Sequence, residues 1–348
     1  MRSDWVAASV RARSMAQRRA GAGTCRTIAA APGLQAALDR LAGTVYGEEL
    51  RAAQTLAEAH RATRRTILWQ LRVLAGWLPA GGTRLIRSAA AVFEADNILT
   101  LDLLLRRREA PATGTGTAAP EAGRPAAKKP EQADRAGDAG RYFDLGGLAT
   151  AWPRLQTAAT SEELQSALAA SPWGDPGPEP ARSDVLTVVW LRRLTAEAAA
   201  VRPWAAGAAA LICTRLLLVD RTAPPDRLVT LLRPLLGTAW STAWSTAGAP
   251  EPRTSAPLTP DGLRGILPPA AAQALAGVDR TADLWRAEAA LAVRVETDGF
   301  ALLRAGLPGP DVVLGAMAVL AADAWRVRAA LAAAAVNAGS SEVLDAVA

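Results

Sequence analysis

The stretch Ile67-Leu68-Trp69-Gln70-Leu71-Arg72-Val73-Leu74-Ala75-Gly76-Trp77-Leu78 decides the fold. Its apolar residues Ile67, Leu68, Leu71, Leu74, Ala75 and Leu78 recur at i, i+1, i+4, i+7, i+8 and i+11, one face of an α-helix. Residues 92–105 open with the polar group Glu94, Asp96 and Asn97. They then turn apolar nearly all round, the pattern of a buried helix. Residues 286–304 and 311–337 read as long helices separated by Pro308 and Pro310, because proline lacks the N–H that a helix interior needs. Thr160-Ser161-Glu162-Glu163 has the T-x-x-E form of a capping box ahead of Leu164 and Leu168. No useful length of sequence alternates as a strand would. The chain reads as all-α.

Composition agrees. Half of the 348 residues are apolar, enough for a sizeable core and for more than one unit. Alanine, leucine and arginine favour helices, and there are only three Phe and two Tyr to favour strands. Cys25 and Cys213 are far apart and belong to no CxxC, which argues for reduced thiols and against a disulfide scaffold or a cysteine zinc site. The most apolar run, 205–219, is interrupted by Arg215 and falls short of the roughly 18–20 residues of a membrane span. It reads as a core helix. The N-terminus carries arginines without the apolar core of a secretory signal.

Net charge is +6 and most of it is N-terminal. Arg2, Arg11, Arg13, Arg18, Arg19 and Arg26 stand against Asp4 alone in the first 26 residues. Such a stretch is either the solvated face of a first helix or a surface for nucleic acid, anionic lipid or an acidic protein. A mitochondrial-type transit segment would share the arginine-rich, acid-poor pattern.

Three breaks divide the chain. Residues 107–141 are rich in Pro, Gly, Ala and charge and lack large apolar side chains, so burial cannot offset their ordering entropy; they read as a disordered insertion. Residues 171–182 and 247–260 are Pro-rich turns or loops. The expected organisation is a first helical unit over 1–106, the insertion over 107–141, a second unit over 142–246 and a third over 247–348.

Two motifs recur. Leu41-Ala42-Gly43-Thr44-Val45-Tyr46-Gly47 matches Leu168-Ala169-Ala170-Ser171-Pro172-Trp173-Gly174. Each reads as a helix end whose aromatic, Tyr46 or Trp173, folds back on the bundle. Glu94-Ala95-Asp96-Asn97-Ile98 matches Glu296-Thr297-Asp298-Gly299-Phe300. Unequal spacing points to duplicated helical units and away from a short-period solenoid.

The catalytic inventory is sparse. Lys128 and Lys129, both in the insertion, are the only lysines, and no GxxxxGK[ST] occurs. His60 is the single histidine, so any triad or histidine metal site would rest on it alone. It reads as a structural residue. Glu94 and Asp96, at i and i+2, point to different faces, which favours packing roles over an acid/base pair. The eleven tryptophans are spread along the chain and read as core and interface anchors. No catalytic residue, cofactor site or metal site is expected.

Four segments together resemble the family of C subunits of V-type and A-type rotary ATPases, whose eukaryotic members are the d subunits. Ala8-Ser9-Val10-Arg11-Ala12-Arg13-Ser14-Met15 is similar to the family's arginine-rich first helix. Residues 41–50 (LAGTVYGEEL) resemble its L-x-x-T-x-Y-x-x-x-L segment. Glu94, Asn97 and Ile98 followed by Leu103, Leu104, Leu105 and Arg106 resemble its acidic-x-x-N-[IL] helix. Residues 142–148 (YFDLGGL) are similar to its hydrophobic-P-L-G-x-L entry into the next unit. The middle unit lacks the acidic-x-x-N signature, and Gly299 stands where the third unit would have Asn97's counterpart.

The resemblance implies three similar helical bundles around a pseudo-threefold axis, shaped as a funnel or socket. It implies a non-catalytic coupling role in an ion-translocating ATPase. The partners are central-stalk and membrane rotor-ring proteins, and the location is peripheral on the cytoplasmic face of the membrane. Arg11 and Arg13 would then lie near the socket or a neighbouring protein of the assembly, and Tyr46, Glu94, Asp96, Asn97, Trp173 and Glu296 would fix helix contacts. The alternative is a helical protein that binds nucleic acid or an anionic surface through its basic N-terminus.

Overall fold

A computed structural model describes residues 3–79, 81–110, 141–240, 242, 259–304 and 306–339. The chain is all-α: 75% is helical and no strand occurs among the described residues. The first stretch holds α1 (Val6–Gln17), α2 (Gly21–Ala29), α3 (Leu34–Leu41), α4 (Gly47–Leu50), α5 (Leu56–Ala75) and α6 (Thr83–Glu109). The second holds α7 (Trp152–Leu155), α8 (Ser161–Ala169), α9 (Glu179–Glu197) and α10 (Arg202–Thr214). The third begins with α11 (Asp226–Leu236), although that helix falls inside the expected second unit 142–246, and continues with α12 (Pro260–Ile266), α13 (Pro269–Ala274), α14 (Leu284–Arg304) and α15 (Pro310–Ala335).

Local chemistry sets the helix ends. Thr55 caps α5 through a full capping box with Glu58, since Oγ1 accepts from Glu58 N at 3.2 Å and Glu58 Oε2 accepts from Thr55 N at 3.0 Å. At α8 the box is only half made. Thr160 accepts from Glu163 N, but Glu163 reaches back to Ala159 N (2.7 Å) instead of Thr160 N. Gly237 ends α11 at φ +77°, a left-handed conformation that favours glycine.

Several boundaries differ from expectation. α5 stops at Ala75, so Leu78 lies beyond it and packs on the core from a turn. Helix α6 continues through Arg107–Glu109, and most of the expected insertion, 111–140, lies outside the described residues. The loop expected over 171–182 ends at Pro178, because a proline in the first turn lacks only an N–H that would be unpaired anyway. Of the loop expected over 247–260, residues 247–258 lie outside the described residues, and Thr259 caps α12. Residues 92–105 are not buried all round, since Leu103 is 48% exposed. The tryptophans divide: Trp173 and Trp240 are buried, while Trp69 and Trp77 are about half exposed.

The apolar run grows to Ala199–Val219 by joining short flanking turns, including a π-helical turn at Arg215–Val219. At 21 residues it is long and apolar enough to cross a membrane, and 56% of its most apolar window is buried inside the protein. Helix α10 within it packs against α9, α11, α13 and α14. Arg215 pairs with Asp184 at 2.7 Å.

The packing order links the three stretches. α6 packs on α5 and reaches forward to α7, α8 and α9. α10 packs on α9 and reaches forward to α11, α13 and α14. α15 packs on α14 and returns to α1, α2, α3 and α5. One core of buried residues runs through all of them.

Candidate functional site

The two turns matched in sequence have the same internal bonding. Leu41 O accepts from Thr44 N (2.9 Å) and Thr44 Oγ1 (2.7 Å), and Thr44 Oγ1 accepts from Tyr46 N (3.2 Å). Leu168 O accepts from Ser171 N (2.9 Å) and Ser171 Oγ (2.7 Å), and Ser171 Oγ accepts from Trp173 N (3.1 Å). The hydroxyl thus replaces a backbone partner and fixes the direction of the aromatic.

Each aromatic then donates to a carboxylate on a long helix. Tyr46 OH donates to Asp323 Oδ2 at 2.7 Å, and Trp173 Nε1–H donates to Glu94 Oε1 at 2.9 Å. Burial, then the Asp323 charge, holds the Tyr46 hydroxyl well above its ordinary pKa, so it acts as a donor. Asp323 also accepts from Ala20 N (3.0 Å) and Gly21 N (2.7 Å) at the start of α2. Glu94 accepts from Thr150 N (2.7 Å), Thr150 Oγ1 (2.9 Å) and Ala151 N (2.8 Å) at the start of α7. Both carboxylates are fully buried, and each satisfies unpaired N–H groups at a helix start while tying down an aromatic.

Sequence reasoning missed a third copy of the turn motif, Leu235-Leu236-Gly237-Thr238-Ala239-Trp240. The spacing L-x-x-[ST]-x-[YW] is common to 41–46, 168–173 and 235–240 and would have found it. A search for glycine after the aromatic hid it, because here the glycine precedes. Trp240 is 1% exposed, like Trp173.

The structure corrects the second sequence match. Glu296 is not Glu94's counterpart, because it pairs with Arg326 (Nη1 to Oε1 2.6 Å), and Arg19 lies 3.9 Å away. Asp323 occupies the role that Glu94 has in the first stretch. Asn97 is buried and exchanges two hydrogen bonds with the Phe143 backbone, at 2.9 and 2.7 Å. This seats the Phe143 ring 5.2 Å from Phe93. Asp96 faces elsewhere and pairs with Arg64. Burial raises its pKa, against the pull of Arg64, Arg328 and Arg61.

Arg13 donates to Leu303 O (3.2 Å) and Gly306 O (3.5 Å) at the end of α14, a favourable place for a cation. Arg11 lines a cavity of ≈ 400 Å³ with Arg18, Trp69 and Gln70, and its Nε is buried without a partner among the described residues. The Cys25 and Cys213 thiols are buried, and burial pushes both up to about 12, so neither is a thiolate at neutral pH. Among the described residues no three His, Cys, Asp or Glu side chains gather as a metal site.

A central cavity has a volume of ≈ 350 Å³. Two long helices from each stretch line it: α5 and α6 through Leu71 and Val92, α9 and α10 through Trp190 and Trp204, α14 and α15 through Val295 and Met317. The two indole N–H groups are already engaged, Trp190 with Ser88 O (3.1 Å) and Trp204 with Asp298 (2.8 Å). Among the described residues Arg64 and Arg328 are the only charged ones in the lining, which includes neither Arg11 nor Arg13. The chamber is built to seat apolar groups beside positive charge.

His60 Nε2 lies 3.0 Å from Arg328 O and so holds the segment that carries Arg328. Burial lowers its pKa below 6.5, the Arg328 charge adds to this, and the hydrogen bond opposes it. The unfolded chain therefore takes the proton first. The His60 contribution is fully present above pH 6.5 and is lost as pH falls from there towards the folded value. Wild type should lose more stability between pH 7.5 and 5.5 than His60→Gln in urea denaturation. Equal losses would refute this.

Models of known protein families and curated proteins yield no match to this chain.

Proposed function

We propose that this chain is a non-catalytic coupling component of a V/A-type ion-translocating ATPase, linking the central rotor stalk to the membrane rotor ring from the cytoplasmic face. In this reading the three stretches are similar bundles around a pseudo-threefold axis, and the central cavity is the socket for the stalk. The observation that carries it is the cavity itself, lined by two long helices from every stretch. The recurring turn at 41–46, 168–173 and 235–240, and the return of α15 to the first stretch, support it too. Transmitting torque requires stiffness and a shaped surface, and two buried carboxylates bonded across stretches supply stiffness.

The test is co-expression with the host's candidate stalk and ring proteins and tagged recovery through this chain in mild detergent. Recovery of both at moderate salt is expected. Recovery of neither from well-folded protein would sink the reading and turn attention to salt-dependent nucleic-acid binding. Replacing Arg11 and Arg13 together by Glu should weaken recovery while helical content is kept. Unchanged recovery would remove these arginines from the interface.

A further inference from the structure

The central cavity contains a guanidinium with no ion-pair contact among the described residues. Arg64 is committed to Asp96, and its guanidinium stacks 5.2 Å from the Phe93 ring and 5.7 Å from the Phe143 ring. Arg328, which lines the same cavity, has its Nε buried without a hydrogen-bond partner, and its guanidinium has no ion-pair partner among the described residues. Its backbone carbonyl lies 3.0 Å from His60 Nε2. Burial, and then the neighbouring Arg64 charge, lowers the Arg328 pKa, while Asp96 and Tyr46 pull the other way.

A half-buried guanidinium beside a second one destabilises the isolated chain, and an apolar side chain there would avoid that cost. The walls around it are aliphatic and aromatic. An incoming cation would meet two like charges. A group that is mostly apolar and carries one carboxylate would match both the walls and the unpaired charge, with the planar fork geometry that arginine offers.

We propose that Arg328, assisted by Arg64, recognises a carboxylate on the apolar segment that the central-stalk partner seats in the cavity. This rests on the coupling reading above for the identity of the partner. The carboxylate adds a second anion to a cluster in which Asp96 faces the guanidinia of Arg64, Arg328 and Arg61. The size of the cavity, ≈ 350 Å³, falls in the range of small-ligand pockets and admits only a few side chains of the partner.

The experiment compares stalk recovery on the full chain for wild type, Arg328→Gln and the cavity-filling Val295→Trp, each checked for helical content. The isolated chain is also titrated with dodecanoate and with dodecanol as probes of the cavity. Arg328→Gln should hold the stalk at least about thirtyfold less tightly, the lower end of the loss for a broken buried charge contact. Val295→Trp should release it. Dodecanoate should bind wild type at least tenfold more tightly than dodecanol, and Arg328→Gln should erase the difference. If Arg328→Gln retains the stalk as wild type does while Val295→Trp loses it, the carboxylate inference is overturned and the coupling reading survives. If wild type recovers no stalk, the coupling reading fails and the probes decide. An Arg328-dependent preference for dodecanoate then supports carboxylate recognition, and equal binding of the two probes, or none, overturns it.

Discussion

Replacing Glu94 by alanine should destabilise the fold by about 4 kcal/mol, because buried and half-buried donors lose a charged acceptor, and a buried donor left unsatisfied costs about 1–3 kcal/mol. The donors are Thr150 N, Thr150 Oγ1, Ala151 N and Trp173 Nε1. Water does not replace the carboxylate readily, since Glu94 is fully buried and Trp173 is 1% exposed. The damage crosses from the first stretch to the second, because Glu94 lies on α6 and all its donors lie between Thr150 and Trp173. Glu94→Gln keeps an acceptor oxygen but turns an amide N–H towards other donors, so it should recover only part of the loss. Urea denaturation followed by circular dichroism measures both. A loss below about 1 kcal/mol for the alanine variant would show that the carboxylate does not tie the two stretches together.

Gly315→Ala should cost about 3 kcal/mol through overpacking, even though alanine is the better helix former by about 1 kcal/mol. A methyl group at 315 would lie 2.5 Å from Gly299 O, 2.9 Å from Leu302 Cβ and 2.9 Å from Leu303 N. Two of these are backbone atoms of α14, which cannot turn aside as a flexible side chain can. Gly299 presents the reciprocal face, with Gly315 O 3.0 Å from a methyl placed there. The two glycines therefore set how closely α14 and α15 cross. Gly23→Ala in α2 is the control, because nothing lies within 4 Å of the added methyl. It should stabilise by up to about 1 kcal/mol. Thermal denaturation of the two variants should move in opposite directions, and a neutral Gly315→Ala would refute the close crossing.

The helices were legible because apolar residues at helical spacing must find a partner face. Their ends were less so. Nothing in the period of Ile67–Leu78 announces that α5 stops at Ala75, since Leu78 packs on the core from a turn just as well. The anchored turns were legible as local patterns, because leucine, hydroxyl and aromatic bond within six residues. Their carboxylates were not. Asp323 lies 277 residues from Tyr46, and local likeness pointed to Glu296, which an arginine holds instead. The role of Asn97 was hidden for the same reason, because its partners are the backbone groups of Phe143. The cavity left no mark on the pattern at all. Residues such as Leu71 and Val295 face inward at the same spacing whether they meet a neighbour or an opening.

The bonds from Asp323 to Ala20 and Gly21 bridge 303 and 302 positions of sequence. During synthesis the start of α2 and the Tyr46 hydroxyl therefore wait for their acceptor until α15 has been made. Loop-closure entropy opposes so distant a contact, and chains that depend on such contacts fold slowly. The nascent first stretch is a half-finished surface, with the apolar faces of α1, α2, α3 and α5 turned towards a helix that does not yet exist. Such exposed apolar surface favours aggregation until α15 covers it.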